Sequence, residues 1–405
     1  MDDSIKPSDL VQVRVEEDNK NEKVRVVNIG IGVFNPDSMY AVRILCHTHL
    51  QRKLHKKVLN CLDSNEALRE ILRHHFRTAI QARRALDLPN GLTDTYRLVH
   101  GEGDCLSGLA VDMIQSAAVV MSSAAWCQVH RDVITETLTE VLPENTDVVW
   151  KTTGSRLKQD GYDLEKEETP EMAEASSEDK MVSSLENGIR YRTYPYSLGQ
   201  KTGIYSDQRE NRRLVAEYCK EKRVLDLCAY HGGFSLNAIV NGGAVSATAV
   251  DSSEDAVEAC RVNAELNGCE DKVEFIRSDI TKFLQESFGE REYDVIVLDP
   301  PKLAPSLNGL DKARRKYHSF NRDALKLVSG NGGLLLTCTC SAAMTQKDGG
   351  QYFLEMVHQA ALAAGRQVTL LKRSGAASCH TQSPISWPAG AYLTAALFYV
   401  HPIIE

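Results

Sequence analysis

From about residue 210 the chain alternates short apolar runs with longer amphipathic stretches, and nearly every apolar run ends on an acid. "RVLDLCA" precedes "GGFSLNAIVNGG", and "SATAVDSS" precedes "EDAVEACRVNAELNG". "KVEFIRSDI", "YDVIVLDPP" and "GGLLLTCTCS" follow, with helical patterns over 319–329 and 349–364 and a closing strand in "YLTAALFYVH". Apolar runs this short, bounded by turn residues, read as buried strands. Strands alternating with helices predict an α/β chain with a parallel, doubly wound sheet. Such a sheet binds its ligand off the carboxyl ends of its strands.

The residues at those ends are therefore the candidate site. They are Asp226 with the turn glycines Gly232 and Gly233, then Asp251, Asp279, and Asp299 in "DPPK". A glycine-rich turn lets backbone N–H groups approach a ligand at a helix N-terminus. Asp251 lies about 20 residues further on, the spacing at which an acid reaches ribose hydroxyls. These features fit a dinucleotide as well as S-adenosylmethionine, although a full G-x-G-x-x-G is absent. Any one of the aspartates has an equally good reading as a cap or turn residue. Four at successive strand ends are hard to assign to capping.

The last strand brings two cysteines one residue apart, Cys338 and Cys340. A disulfide between them would close a very small, strained ring. Zinc sites want paired C-x2-C spacings, and the nearest Cys-His pair, Cys379-His380, lies about 40 residues on. A nucleophile remains, beside the plainer reading of two small core residues. The eleven cysteines of the 405 residues follow no regular framework, and the start "MDDSIKPSDL" is neither a secretory signal nor an Arg-rich leader. The expectation is an intracellular protein with reduced thiols, cytoplasmic by default, or organellar if the true start lies upstream. No apolar window is long enough to span a membrane.

Net charge is −8, which argues against a nucleic-acid partner until its distribution is considered. Residues 163–186 hold nine acids and two bases and read as a solvated acidic loop. The remainder is near neutral, with basic clusters at 52–57, 73–84 and 312–316. Each cluster alone reads more simply as a solvated helix face; together they make a basic surface plausible. Upstream, residues 10–45 alternate as short β-strands, and 63–86 read as a helix capped by Asp63 with Glu66 three residues on. Strands over 96–99, 108–113 and 117–121, a helix near 128–141 and a strand over 147–151 complete a small α+β unit.

The motifs "KTGIYSDQRENR" (201–212), "VLDLCAYHGGFSL" (224–236), "VDSSEDAVEACRVNAELNG" (250–268), "DVIVLDPPK" (294–302), "LLLTCTCS" (334–341) and "PAGAYL" (388–393) resemble class I S-adenosylmethionine-dependent methyltransferases. More closely they resemble the RlmI type of bacterial large-subunit rRNA cytosine-C5 methyltransferases. "YRLVHGEGDCLSGLAVD" (96–112) and "GVFNPDSMYAVRIL" (32–45) extend the resemblance over nearly the whole chain. His231, Cys105 and Ser107 stand where that family usually has Thr, Gly and Pro.

The resemblance implies a partial PUA-like β segment over 1–48, a middle α+β domain over 49–195 carrying the acidic loop, and a Rossmann-like methyltransferase domain over 196–405. It implies S-adenosyl-L-methionine as cofactor, held by Gln208, Arg209, Asp226, Cys228, Gly232, Gly233, Phe234, Asp251, Asp279, Ile280 and Asp299. It implies ribosomal RNA as partner, and the family tendency is toward homodimers. It makes Cys340 the nucleophile at cytosine C6, with Asp299 steadying the base and Cys338 read as packing. The expected RNA contacts are Lys302, Arg314, Arg315 and Lys316, with Tyr317 as a stacking ring. The base that removes the C5 proton is unassigned. Rival readings are methylation of a base nitrogen, which needs no cysteine, an inactive ribosome-assembly factor that keeps the fold, and a small-molecule methyltransferase.

Overall fold

The computed structural model describes residues 4–19, 22–152, 154–163, 180–197, 204–304, 307–384 and 386–403. Most of the acidic loop, and Lys201, Thr202 and Gly203 of the first motif, lie outside the described residues.

The chain opens with an antiparallel sheet of β1 (Leu10–Asn19), β2 (Glu22–Phe34) and β3 (Val42–His47). Its inner residues Ile31, Val33 and Leu45 do not form a core of their own. They share one with Leu68, Ile71, Leu72 and Phe76 of helix Ser64–Ala85. That stripe recurs every three or four residues, as an amphipathic helix requires. Asp63 Oδ1 accepts the Glu66 N–H at 2.8 Å, and the Glu66 carboxylate reaches back to the Leu62 N–H at 2.7 Å. The capping box expected from the sequence is therefore shifted by one residue on its return bond. A second sheet follows in the order β4 (Thr95–His100), β5 (Leu109–Ile114), β6 (Ala117–Ser122) and β7 (Asp147–Thr152).

Most of the basic cluster at 73–84 is consumed here. Arg73 bonds Glu140 at 2.6 Å and also pairs with Glu70, Arg77 lies 3.9 Å from Glu140, and Arg83 is buried against Asp104. A basic run in sequence is here largely spent on ion pairs, some of them solvent-exposed, with acids of its own helix, of a neighbouring helix and of the turn at Asp104.

The hairpin β8 (Val182–Glu186) and β9 (Ile189–Thr193) corrects the acidic-loop boundary. Residues 182–186 are strand rather than solvated loop, and Glu186 is fully buried.

The remainder of the chain contains β10 (Arg223–Leu227), β11 (Ser246–Asp251), β12 (Val273–Arg277), β13 (Val295–Leu298), β14 (Gly333–Thr339), β15 (Val368–Ser374) and β16 (Thr394–Val400). They form a seven-stranded sheet in the order β12-β11-β10-β13-β14-β16-β15. Strands β10 to β14 run parallel, and β16 is antiparallel to both its neighbours. Alternation across the sheet sorts its side chains. Val224, Val295, Val297 and Leu336 face one helical layer, while Leu225, Leu227, Ile296 and Leu335 face the other. The edge strand β15 was not expected, because its "VTLLKRS" is mostly exposed and carries no buried run. The helix expected over 319–329 begins earlier, as Leu310–Lys326.

Arg212 ties β8 to this sheet. Its Nη1 donates to Glu186 at 2.6 Å and its Nη2 to the Tyr205 carbonyl at 2.9 Å. Both ion-pair side chains are nearly solvent-free. Removing one partner of such a pair strands a buried charge, so Glu186→Ala should destabilise the protein by about 3–5 kcal/mol. A lowered urea midpoint would show it; an unchanged midpoint would mean that the pair holds nothing.

Candidate active site

The turn after β10 is held in conformations that side chains rarely adopt. Cys228 and Tyr230 have φ of 64° and 49°, and Gly232 has φ of 83°. At Gly232 a Cβ would collide with Cys260 Sγ, so the turn can approach helix Glu254–Leu266 only with glycine there. Two carboxylates hold the turn. Asp226 accepts the Ser235 N–H at 3.0 Å and its hydroxyl at 2.9 Å, which locks the following helical turn onto β10. Burial pushes the Asp226 carboxyl up to about 6. Asp251 accepts the Tyr230 N–H and the Ser253 N–H, both at 3.0 Å. Asp279 caps helix Ile280–Ser287 through the Thr281 N–H at 2.8 Å. The plain capping reading was thus right for Asp279, yet its side chain also reaches the cavity.

That cavity, of about 600 Å³, lies along the carboxyl ends of β10, β11 and β13. Of the expected cofactor residues, Gln208, Cys228, Gly233, Phe234, Asp251, Asp279, Ile280 and Asp299 line it, and Cys340 and Lys302 lie on the same wall. Three expected residues do not. Asp226 and Gly232 stand behind the wall and shape it. Arg209 points elsewhere, donating to Cys379 Sγ at 3.3 Å and Glu210 at 3.3 Å. The arginine at the cavity is Arg212, whose Nε is buried without a partner and which packs over Gly233 and the Phe234 ring. The signal for it was available: Gln208 and Arg212 are four apart and share a helix face, whereas Arg209 lies about 100° off. Asp207, Tyr205 and Tyr230 also line the cavity and were missed. His231 is buried between Tyr191 and Tyr230, and burial with the nearby Arg212 charge keeps its imidazole neutral.

The two cysteines part company. Cys338 lies within β14 and is fully buried beside Leu336. Cys340 follows the last strand residue, Thr339, and opens onto the cavity. Burial, then the Asp299 and Asp207 charges, push the Cys340 thiol up to about 12, with Lys302 acting in the opposite sense. Asp299 accepts a hydrogen bond from Gln208 Nε2 at 3.0 Å. It is partly buried at the cavity wall, and desolvation followed by the Asp207 charge raises it to about 7.

The expected RNA clamp is split by its helix. Tyr317 is fully buried, accepts the Thr339 hydroxyl at 2.9 Å and packs edge-on against Phe353, so it cannot stack on a base. Lys316 lines the main cavity rather than an outer surface groove. Arg314 donates to Gln359 at 2.7 Å and lies over Tyr352. With Arg315, His318 and Arg322 it lines a second, shallower cavity of about 420 Å³.

The main cavity suits a cationic, nucleoside-bearing cofactor. Its walls carry Asp207, Asp251, Asp279 and Asp299, and the unpartnered Arg212 Nε offers a donor for an anionic end. Gly233 leaves a space that a Cβ could not share with Arg212 and His231.

Comparison with known proteins agrees. The family described as S-adenosylmethionine-dependent methyltransferase matches residues 96–365. The ribosomal RNA large subunit methyltransferase I of Photobacterium profundum is 34% identical over 397 residues, covering 95% of this chain and 89% of that protein. The protein of the same name from Aeromonas salmonicida is 38% identical, covering 78% of this chain and 76% of its own. Among solved structures, a putative S-adenosylmethionine-dependent methyltransferase from Streptococcus mutans superposes with a TM-score of 0.72 at 20% identity, covering 97% of this chain and 92% of that one. A putative methyltransferase complexed with SAH gives 0.71 at 21% identity, covering 92% and 88%. At these identities the two structures speak for the fold alone. Among the described residues no helix is long and apolar enough to cross a membrane.

Asp299 gives a test by stability. Its raised carboxyl binds a proton more tightly folded than unfolded, so its stabilising contribution is present below about pH 4 and is lost as pH rises through about 7. Asp299→Asn lacks this loss. The melting temperature of the variant minus that of the wild type should therefore climb between about pH 4 and 7 and then level off. A difference that stays flat across this range would place the Asp299 carboxyl in an unshifted environment.

Proposed function

The chain belongs to the S-adenosylmethionine-dependent methyltransferases, alongside the ribosomal RNA large subunit methyltransferase I proteins, and from this we propose that it methylates C5 of a cytosine in large-subunit ribosomal RNA. One observation carries the reading: the Cys340 thiol and the Asp299 carboxyl line a single cavity. Methylation of an exocyclic amine needs no thiol there.

Cytosine C5 is a weak nucleophile until a thiolate adds to C6, which makes the ring enamine-like and divides one difficult step into two. The cofactor supplies an electrophilic methyl group. Asp251, Asp279, Ile280, Gly233, Phe234 and Arg212 would hold it. Electrostatics favours one protonation state of the reacting pair. With Asp299 ionised, its charge helps hold the Cys340 proton in place. With Asp299 protonated, that opposition is gone, and the neutral carboxyl donates to the base N3 as sulfur attacks C6. The reactive state is thus thiolate beside carboxylic acid.

RNA would reach the cavity past Lys302 at its wall. The groove that holds Arg314, Arg315 and Arg322, with Asp311 also on its wall and Arg322 paired with Asp323, offers guanidinium groups to the phosphates on either side of the target. The target base must leave its stack or come from a loop to enter.

Two measurements follow. RNA carrying 5-fluorocytosine, incubated with protein and S-adenosylmethionine, should give a denaturant-resistant adduct visible by mass spectrometry. Cys340→Ala should abolish it and Cys338→Ala should retain it. Absence of adduct on RNA that the protein demonstrably methylates would move the reaction to a nitrogen. Reversing charge at Arg314 and Arg315 should weaken RNA binding and lower the salt slope by about 2, with cofactor affinity intact. Unchanged RNA affinity would remove the groove from the substrate path.

A further inference from the structure

Thiol attack and methyl transfer leave C5 bearing both a methyl group and a hydrogen, and that proton needs an acceptor. We propose that Asp207 is the base that removes it, a role that rests on the cytosine-C5 reading above.

The argument is one of position and free valence. Among the described residues, the carboxylates on the cavity wall are Asp207, Asp251, Asp279 and Asp299. Both oxygens of Asp251 accept backbone N–H groups, and Asp279 is turned to its helix cap. Asp299 bonds Gln208 and, in the reading above, carries the proton that serves N3. Asp299 and Asp279 each also keep one oxygen without a hydrogen bond from the described residues, but Asp299 is committed to N3 and Asp279 to the cofactor, whereas Asp207 is committed to neither. Its Oδ2 accepts the Tyr392 hydroxyl at 2.8 Å, while its Oδ1 accepts no hydrogen bond from the described residues. Its own carbonyl accepts the Ala377 N–H at 2.7 Å, so the backbone is pinned as well.

The residue next to it, Gln208, is the one bonded to Asp299, which sets the two carboxylates on neighbouring parts of the wall. Asp207, Asp299 and Cys340 line the one cavity, and the Asp207 charge raises both of the other groups. The other polar groups at this end are poor acceptors. Lys302 and Arg212 are cations, and burial raises the Tyr205 phenol, which keeps its proton. Cys338 lies off the wall, and Cys340 is bonded to C6 at that stage.

The step balances within these groups. Sulfur addition at C6, with protonation of N3 by Asp299, leaves a double bond between C4 and C5. Its electrons form the new C5–methyl bond, and a C4=N3 iminium results. Asp207 then takes the C5 proton. The C–H electron pair becomes the C5=C6 double bond, and the C6–S bond breaks with its pair leaving on Cys340. N3 returns its proton to Asp299. The proton on Asp207 passes to solvent, and the thiolate and acid are restored.

The test uses the full chain, S-adenosylmethionine and substrate RNA tritiated at cytosine C5. Wild type should release tritium in step with methyl transfer. Asp207→Asn should still bind cofactor and attach the methyl group, but release tritium at least about a hundredfold more slowly, the usual scale for a lost general base. It should accumulate a methylated protein–RNA adduct on ordinary cytosine, and adding Cys340→Ala should abolish that adduct. Asp207→Glu, which keeps a carboxylate, should recover part of the release. Tritium release by Asp207→Asn at the wild-type rate would overturn the proposal. So would a variant that binds both ligands yet builds no adduct, or equal release from the Asn and Glu variants. Methyl transfer by wild type without tritium release would instead sink the cytosine-C5 reading itself.

Discussion

The buried guanidinium of Arg212 is the constraint around which the catalytic end is arranged. It meets the Glu186 carboxylate on a hairpin, the Tyr205 carbonyl on the approach to the first sheet helix, and the Phe234 ring in the glycine-rich turn. A charge this far from water is tolerated only where its donors are met. Nη1 and Nη2 each find an acceptor in the protein, and Nε, with no partner among the described residues, lies against Gly233 of the cavity wall. Three segments distant in sequence are thereby fixed to one planar group. Gly233 has no side chain because this group occupies the space.

A second buried cation joins the middle of the chain to its end. Arg83 makes a two-pronged contact with Asp104 and also donates to the Cys379 carbonyl at 2.6 Å, while Thr381 bonds Asp104 at 2.8 Å. Ala377 and Cys379 belong to the same apolar core as Leu68 and Trp126. The loop between the last two strands is therefore packed into the α+β part rather than only resting on it. Through the Ala377 N–H that loop also reaches the Asp207 carbonyl. The α+β part thus contributes to the shape of the cavity without lining it.

The sheet was legible because its evidence is local. Buried runs such as "VIVL" and the acids after them follow from strand chemistry alone, as did the helix cap at Asp63. What stayed hidden depended on phase and on partners. Arg209 was preferred to Arg212 because the motif gives both arginines but not the helix phase that turns one inward. Tyr317 looked like a stacking ring beside basic residues, yet helix Leu310–Lys326 puts it on the face opposite to Arg315. Cys338 and Cys340 share a parity only while a strand continues, and β14 stops at Thr339. Glu70 lies within one helical turn of Arg73, but Glu140, which pairs with both Arg73 and Arg77, sits more than sixty residues away, which no local pattern can announce.

The Tyr392–Asp207 bond has a consequence for the order in which the molecule is completed. Domains fold largely as units as the chain emerges from the amino end. The glycine-rich turn and the strand-end acids of β10 to β13 are all present by residue 299. The phenol that orients Asp207 arrives more than ninety residues later, at Tyr392, on the segment leading into β16, the strand inserted between β14 and the edge. A nascent chain can therefore hold most of its cofactor cavity before the reacting end is set.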